Sequence, residues 1–407
     1  MARVLQCWEL GDGYAYIEGF TMGARALKAA GHEVSLAYRD LKHAERIVGR
    51  DFELMQAPTP VSRPLMTVRR PMTFADQMIN ADYGESARML GRLRAWRGLI
   101  ERHAPDVLRV LHAPGALLAS RGLGIPTLVV GTGFLIPPPV SPLPNLRPWV
   151  KDADPKAMQA RESRVLGEMN KALGALKSPP LERLCDLYHV DRQEIYAFPE
   201  MDEYGKRGGG DVVYMGVYQP DEGAAPVWPA GNGKKVFAYL ELFEKLPGVL
   251  EALKESGCSV LVFMARFPAE LRDKYKGTNL AFADKPLNVF AAARQCDYAV
   301  SHGGHNIAST ALLAGKPQLL MPMFLPERIG AQNVVKLGAG LIAPLDGAKF
   351  GEIFGQLRQQ EAALTAKAQE FAAHHKDYSR DTMLKDVQGN IAILAKKAAA
   401  GKGKKTR

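Results

Sequence analysis

Cysteine is scarce in this chain: four residues in 407, at Cys7, Cys185, Cys258 and Cys296. No two of them have metal-ligand or redox spacing, so a disulfide scaffold, a zinc module and a thioredoxin-type motif are excluded. Long apolar runs are missing as well. Nothing approaches the roughly 20 apolar residues that cross a bilayer. The apolar start, Arg3–Trp8, stops at Glu9 and is too short for a secretory signal. A cytoplasmic enzyme of bacterial type is the expectation. The nine histidines form no HExxH pattern, and His374-His375 reads as a solvated pair on a polar helical segment. The net charge is +10, yet the chain lacks the basic-aromatic interleaving of an RNA-recognition motif, so no nucleic-acid partner is expected. Part of that charge sits in Lys396–Arg407, which has no acid and reads as a disordered tail.

What is present is material for two cores. A length of 407 residues, 47% apolar and 24% charged, fits a two-domain globular chain. Arg3–Trp8 reads as a strand, followed by Gly11-Asp12-Gly13, a helical stretch to Ala30, and a second strand at Glu33–Tyr38. That is the strand, turn, helix, strand unit of a parallel α/β fold. Asp106–Leu111 and Ile125–Val130 read as further strands, and Met78–Arg102 as one long helical region. A second α/β series reads from near Asp211, through Lys235–Leu240, Ser259–Met264, Asn279–Ala281, Tyr298–Ser301 and Gln318–Met321. The expected domains are 1–217 and 234–380, joined by a Pro/Gly-rich linker at 218–233 and followed by a helix end and tail at 381–407. Gly133–Pro148 holds six prolines and must be an extended loop, with Phe134 and Pro138 as candidates for acceptor contact.

The chemistry concentrates at Ser301-His302-Gly303-Gly304-His305-Asn306. It links the strand ending at Ser301 to a helix running to Ala314. Two glycines at a helix N-terminus expose backbone N–H groups to the positive end of the helix, which suits a phosphate. His302 and Asn306 add donors.

Four submotifs in order then give a resemblance. His302-Gly303-Gly304-His305-Asn306, Ala314-Gly315-Lys316-Pro317, Met321-Pro322 and Leu337-Gly338-Ala339-Gly340 resemble the donor-binding segment of family 1 glycosyltransferases, in their bacterial macrolide and flavonoid form. Trp8–Gly13, Gly31-His32-Glu33-Val34, Gly131–Phe134 and Pro199-Glu200-Met201-Asp202 resemble the N-terminal half of bacterial members. The resemblance implies an α/β GT-B fold, two Rossmann-like domains with parallel sheets facing across a cleft. It implies a UDP- or dTDP-sugar donor, which is a substrate and not a cofactor, and a lipophilic or aromatic small-molecule acceptor. His302, Gly303, Gly304 and Asn306 would hold the diphosphate. Lys285, Pro286 and Leu287 would contact the base. No metal is implied. Uracil against thymine, the sugar, the acceptor and the oligomeric state stay open.

Three positions depart from the family pattern. Thr310 stands where plant members have a ribose-binding glutamate. The sugar-reading Asp-Gln or Glu-Gln pair aligns with Pro326-Glu327, or with Glu327-Arg328 after a one-residue slip. The N-terminal catalytic histidine aligns with Tyr16, a poor base at an ordinary pKa near 10. Asp12, in the Gly-rich loop, and His112, at a strand end, are the alternatives for removing the acceptor proton, with Asp12 preferred over Tyr16. Two rival functions remain: a nucleotide-sugar 2-epimerase-like enzyme, and a catalytically degenerate nucleotide-sugar-binding partner protein.

Overall fold

The computed structural model describes residues 1–11, 14–218, 222–231, 233–264, 268–275 and 277–405. The chain divides into two compact units. Unit 1 comprises 1–196, 207–215 and 381–407, and unit 2 comprises 197–206 and 216–380.

In unit 1 the order is β1 (Arg3–Trp8), α1 (Tyr14–Ala29), β2 (Glu33–Tyr38), α2 (Leu41–Val48), β3 (Glu53–Gln56), α3 (Phe74–Asn80), α4 (Ser86–His103), β4 (Val107–Leu111), α5 (Pro114–Ser120), β5 (Thr127–Gly131), α6 (Pro155–Ala175), β6 (Arg192–Ile195) and β7 (Val212–Tyr214). Its sheet runs β3-β2-β1-β4-β5-β6-β7, with every pair parallel. The central strands are buried from end to end, which is why β4 and β5 read as near-continuous apolar runs. Unit 2 follows with β8 (Lys235–Tyr239), α7 (Leu246–Glu255), β9 (Ser259–Phe263), α8 (Ala269–Lys274), β10 (Leu280–Phe282), α9 (Val289–Gln295), β11 (Tyr298–Ser301), α10 (His305–Leu313), β12 (Gln318–Leu320), α11 (Leu325–Lys336), β13 (Gly340–Ile342), α12 (Gly347–Gln359) and α13 (Glu361–His374). Its sheet is β10-β9-β8-β11-β12-β13, again wholly parallel. Both sheets have the doubly wound order, in which the chain reverses direction beside the first strand. That reversal opens a crevice at the strand carboxyl ends: between β1 and β4 in unit 1, and between β8 and β11 in unit 2.

Three sequence expectations need correcting. The Asp211–Met215 strand does not begin the second series; as β7 it pairs parallel with β6 on the edge of the first sheet. The long helix over Met78–Arg102 is two helices. Asp82 breaks it in a left-handed conformation, φ 65°, and receives hydrogen bonds from Arg88 at 2.6 Å and Arg92 at 3.2 Å. The basic tail is not disordered from Lys396: α14 (Arg380–Lys405) continues as helix as far as Lys405. Alanine and lysine are strong helix formers, and cations suit a helix C-terminus. α14 is tied to unit 1 by Asn390, whose amide donates to Glu194 at 2.9 Å and whose oxygen accepts from Arg192 at 2.6 Å.

Candidate functional site

In unit 2 the crevice between β8 and β11 is filled by the turn from Ser301 into α10. Gly303 has φ 81°, a left-handed conformation that favours glycine, and its N–H donates to Ser301 Oγ at 3.1 Å. Gly304 stands at the N-cap of α10 and has no side chain to offer the first-turn amides as an acceptor. A Cβ at Gly304 would lie 2.7 Å from His302 Nε2. Glycine there lets the imidazole lie across the helix entrance. His302 is 9% exposed, its ring 5.5 Å from that of Tyr239, and its buried Nδ1 has no hydrogen-bond partner. Asn306, one turn-position further, is exposed. The result is a positive helix end with an imidazole at its rim, the chemistry that receives an anion.

Two carboxylates complicate that electrostatics. His302 Nε2 is 3.6 Å from Glu241 Oε1 and 3.8 Å from Glu327 Oε1. Glu241 follows the end of β8 and is exposed. Glu327 is buried and closes the entry to α11, its Oε2 accepting from Met323 N at 2.8 Å and Phe324 N at 3.0 Å. Burial raises its pKa, opposed by His302 and those two amides. Arg328 beside it is exposed.

The expected base and ribose contacts are placed differently from one another. Lys285 and Pro286 are exposed after β10, and the Pro286 carbonyl accepts from Ala224 N at 2.8 Å. Leu287 turns inward and packs in a core with Phe237, Ile307 and Ala311. Thr310 is 4% exposed within α10. The segment 222–231 therefore leans on the 284–288 loop in unit 2, through the bridge Ala224–Leu287.

In unit 1 the crevice between β1 and β4 opens into a pocket of about 410 Å³, whose walls include Leu10, Gly11, Arg39, Asp82, His112 and Phe134. His112 follows β4 directly and is itself strained, φ 43°. Its carbonyl accepts from Leu10 N at 3.0 Å, which sews the two strand ends together. Burial drives its pKa down to about 4, so the ring is neutral at pH 7, with Nδ1 unpartnered. Behind the pocket Glu9 is wholly buried. It accepts from Gly115 N at 2.7 Å and from Tyr83 Oη, and lies 3.7 Å from Arg92. Desolvation pushes its pKa up to about 7 against those contacts.

Of the catalytic candidates, His112 lies in the pocket wall. Asp12 lies outside the described residues, between Gly11 in that wall and the start of α1, and the side chain of Tyr16 is likewise undescribed. Phe134 lines the pocket; Pro138, half-buried in the same loop, does not. That loop is pinned by Glu162 of α6, which accepts from Leu143 N at 2.7 Å. Sequence reasoning missed Glu241, Glu9 and Arg39, and it passed over the triplet Asp152-Ala153-Asp154. Asp154 caps α6, accepting from Lys156 N at 2.9 Å, which accounts for it structurally. The signal for Glu241 was available: it stands two residues after the strand that borders the crevice.

Residues 279–380 match the family described as erythromycin biosynthesis protein CIII-like, C-terminal domain. No curated protein matches the chain by sequence. Among solved structures, the calicheamicin glycosyltransferase CalG4 is similar with a TM-score of 0.68 at 14% identity, over 98% of this chain and 99% of that one. The glycosyltransferase VinC, solved in complex with dTDP, gives 0.66 at 16% identity, over 97% and 100%. The spinosyn rhamnosyltransferase SpnG, complexed with spinosyn aglycone, gives 0.63 at 17% identity, over 97% and 100%. Residues 279–380 thus match the EryCIII-like C-terminal family, and the chain shares its two-sheet GT-B fold with these glycosyltransferases over nearly its whole length.

Proposed function

We propose that this chain is an inverting glycosyltransferase that moves a sugar from a UDP- or dTDP-sugar to a lipophilic or aromatic small-molecule acceptor. The observation that carries the reading is the uncapped N-terminus of α10 with His302 at its rim, inside the EryCIII-like segment. On this reading the amides of α10 and the His302 imidazole take up the charge that develops on the leaving diphosphate. The acceptor occupies the unit 1 pocket, against Phe134. Its hydroxyl oxygen bonds to the anomeric carbon as the carbon–diphosphate bond breaks. The proton passes to Asp12 or to His112. No metal is required in this scheme. The ligands named for VinC and SpnG, dTDP and an aglycone, support these two substrate classes by analogy.

The pair Glu241 and Glu327 favours a second reading. Two carboxylates within 4 Å of His302 Nε2 engage the imidazole that transfer needs for the leaving diphosphate while the amides of α10 still hold the donor, which favours a degenerate nucleotide-sugar-binding protein. One screen decides. The protein is incubated with UDP- and dTDP-sugars, with and without a panel of phenolic and macrolactone acceptors, and nucleotide diphosphate release is followed. Acceptor-dependent release supports transfer. Acceptor-independent conversion of the donor to its epimer supports an epimerase. Donor binding with neither outcome leaves the degenerate protein.

A further inference from the structure

Glu200, His374 and His375 take no part in the donor turn or the pocket. Glu200 lies in a short helical turn, Pro199–Met201, within the stretch 197–206 that belongs to unit 2 although unit 1 sequence flanks it on both sides. His374 ends α13 and His375 is its C-cap. The solvated-pair expectation holds for one of them only: the His374 side chain is 72% exposed, that of His375 14%. Two aromatic rings cause the difference. Phe198 and Phe371 pack against the His375 ring, with centroids 4.4 and 4.5 Å away. That packing aims His375 Nε2 at Glu200 Oε2, 3.1 Å away, while His374 Nε2 lies 3.9 Å from Glu200 Oε1.

We propose that Glu200, His374 and His375 bind one divalent transition-metal ion, with Zn²⁺ as its representative. The three ligand atoms all lie within 4.8 Å of one another. Zinc bonds of about 2.0–2.1 Å in tetrahedral array set ligand atoms about 3.3 Å apart. The His375–Glu200 edge already has that spacing, and the exposed His374 closes the other by rotating its side chain. Two imidazoles and a carboxylate form the three-ligand set of zinc sites that keep a fourth position for water. Imidazole also selects Zn²⁺, Ni²⁺ or Cu²⁺ over Mg²⁺ and Ca²⁺. The bound ion fastens the 197–206 stretch to the end of α13, six residues before the chain re-enters unit 1 at Asp381. An ion that binds only the folded state stabilises it.

A competing set must be separated from this one: Glu241, His302 and Glu327 also bring three ligand atoms together. The full-length protein is stripped with EDTA and titrated with zinc sulfate by calorimetry, with thermal melts in parallel and magnesium as the control cation. One equivalent of zinc and a raised Tm are expected, with no response to magnesium. His374→Ala, at a side chain 72% exposed whose ring meets that of His375 edge-on at 4.7 Å, should weaken binding at least about 100-fold, since loss of an outer-shell partner alone costs up to that much. Glu200→Gln should do the same, and His302→Ala should keep the equivalent. Absence of saturable zinc binding at micromolar concentration overturns the proposal. So does an equivalent that survives His374→Ala and disappears in His302→Ala, which places the ion at the phosphate turn. Neither donor nor acceptor enters the measurement, so its outcome is independent of the proposed transferase activity.

Discussion

The two units carry the same strand order but treat buried charge differently. In unit 1 the sheet interior holds a complete ion pair: Arg109, in the middle of β4, meets Glu194 at 3.1 Å and Gln6 at 2.6 Å, with Arg109 and Glu194 side chains at zero exposure. Glu9 adds a second buried carboxylate at the end of β1. In unit 2 the corresponding strands are packed with apolar side chains, and the histidines that matter stand at strand and helix ends. The anion site proposed for unit 2 is made of backbone amides, which depend on the glycines and on helix geometry. Unit 1 ties β1 to β4, and the residue after β1 to α5, by side-chain hydrogen bonds between residues about a hundred positions apart. The family match, 279–380, falls wholly in unit 2.

The proposed division of labour assigns proton removal to unit 1 and nucleotide grip to unit 2. The largest expected effect tests the first half. A general base contributes roughly 10²–10⁴-fold to rate, so either Asp12→Asn or His112→Ala should lower kcat by about that factor while nucleotide affinity, measured by calorimetry, is kept. Loss of affinity in step with kcat would erase the division. Next in size is Arg109→Ala, which removes the cation paired with Glu194 and leaves it the Asn390 amide. Breaking a buried pair from one side costs about 3–5 kcal/mol, read as a lower midpoint in denaturant melts. A change below 1 kcal/mol would mean that water or neighbouring groups already solvate Glu194, and that the contrast between the sheets is overstated (about 1 kcal/mol being a typical substitution). Third, His302→Ala should weaken UDP or dTDP binding by about 1–3 kcal/mol, the range for a charge-assisted hydrogen bond. Unchanged affinity would remove His302 from the donor site.

The same contrast explains what the sequence made legible. The turn at Ser301–Asn306 was readable because its requirements are local: a glycine at positive φ, a glycine where a Cβ would strike His302, and a helix immediately after. Strands β1, β2 and β11 were readable with their full bounds because both faces are buried. Strands β3, β6 and β7 were missed or misassigned because they are short, three or four residues, and none is buried along its whole length; β3 and β7 are also the edges of the sheet. No periodicity survives at that length. The Asp82 break between α3 and α4 depends on two arginines that lie beyond it, and Glu9 depends on Tyr83 and Gly115. Those contacts are set by how helices pack on the sheet, which single-sequence patterning does not encode.

A pH-dependent effect follows from Glu9. Burial raises its folded pKa to about 7, above an unfolded value of about 4.3. The folded state then holds the proton that the unfolded state releases. Its contribution to stability is fully present below about pH 4.3 and is lost as pH rises through 7. Between those limits one such group changes stability by up to about 1.4 kcal/mol per pH unit. Glu9→Gln, which stays neutral, should flatten that decline in melts from pH 5 to 7.5. An unchanged slope would show that Tyr83, Gly115 and Arg92 keep the carboxylate ionised, making unit 1's second buried carboxylate an ordinary ion-pair member.

The smallest effect tests whether unit 2 also uses a side chain to read its ligand. Glu327 has two tasks to separate. One oxygen accepts from the Met323 and Phe324 amides and starts α11; the other faces His302 Nε2. Glu327→Gln keeps an acceptor for the amides and replaces the second oxygen with a donor. The loss in stability should therefore fall at or below the ~0.5–2 kcal/mol of a deleted cap. If the group reads the sugar, the ratio of kcat/KM between two donor sugars should shift while diphosphate affinity changes little, because the phosphate meets the amides of α10. The exposed Arg328→Ala is the companion variant, since it changes charge beside the same turn without touching the cap. A donor ratio that follows Arg328 and ignores Glu327 would move the reading to the arginine. Equal losses for every donor in Glu327→Gln, with Tm lowered in proportion, would leave Glu327 as the cap of α11 and unit 2 as a site made of backbone and His302 alone.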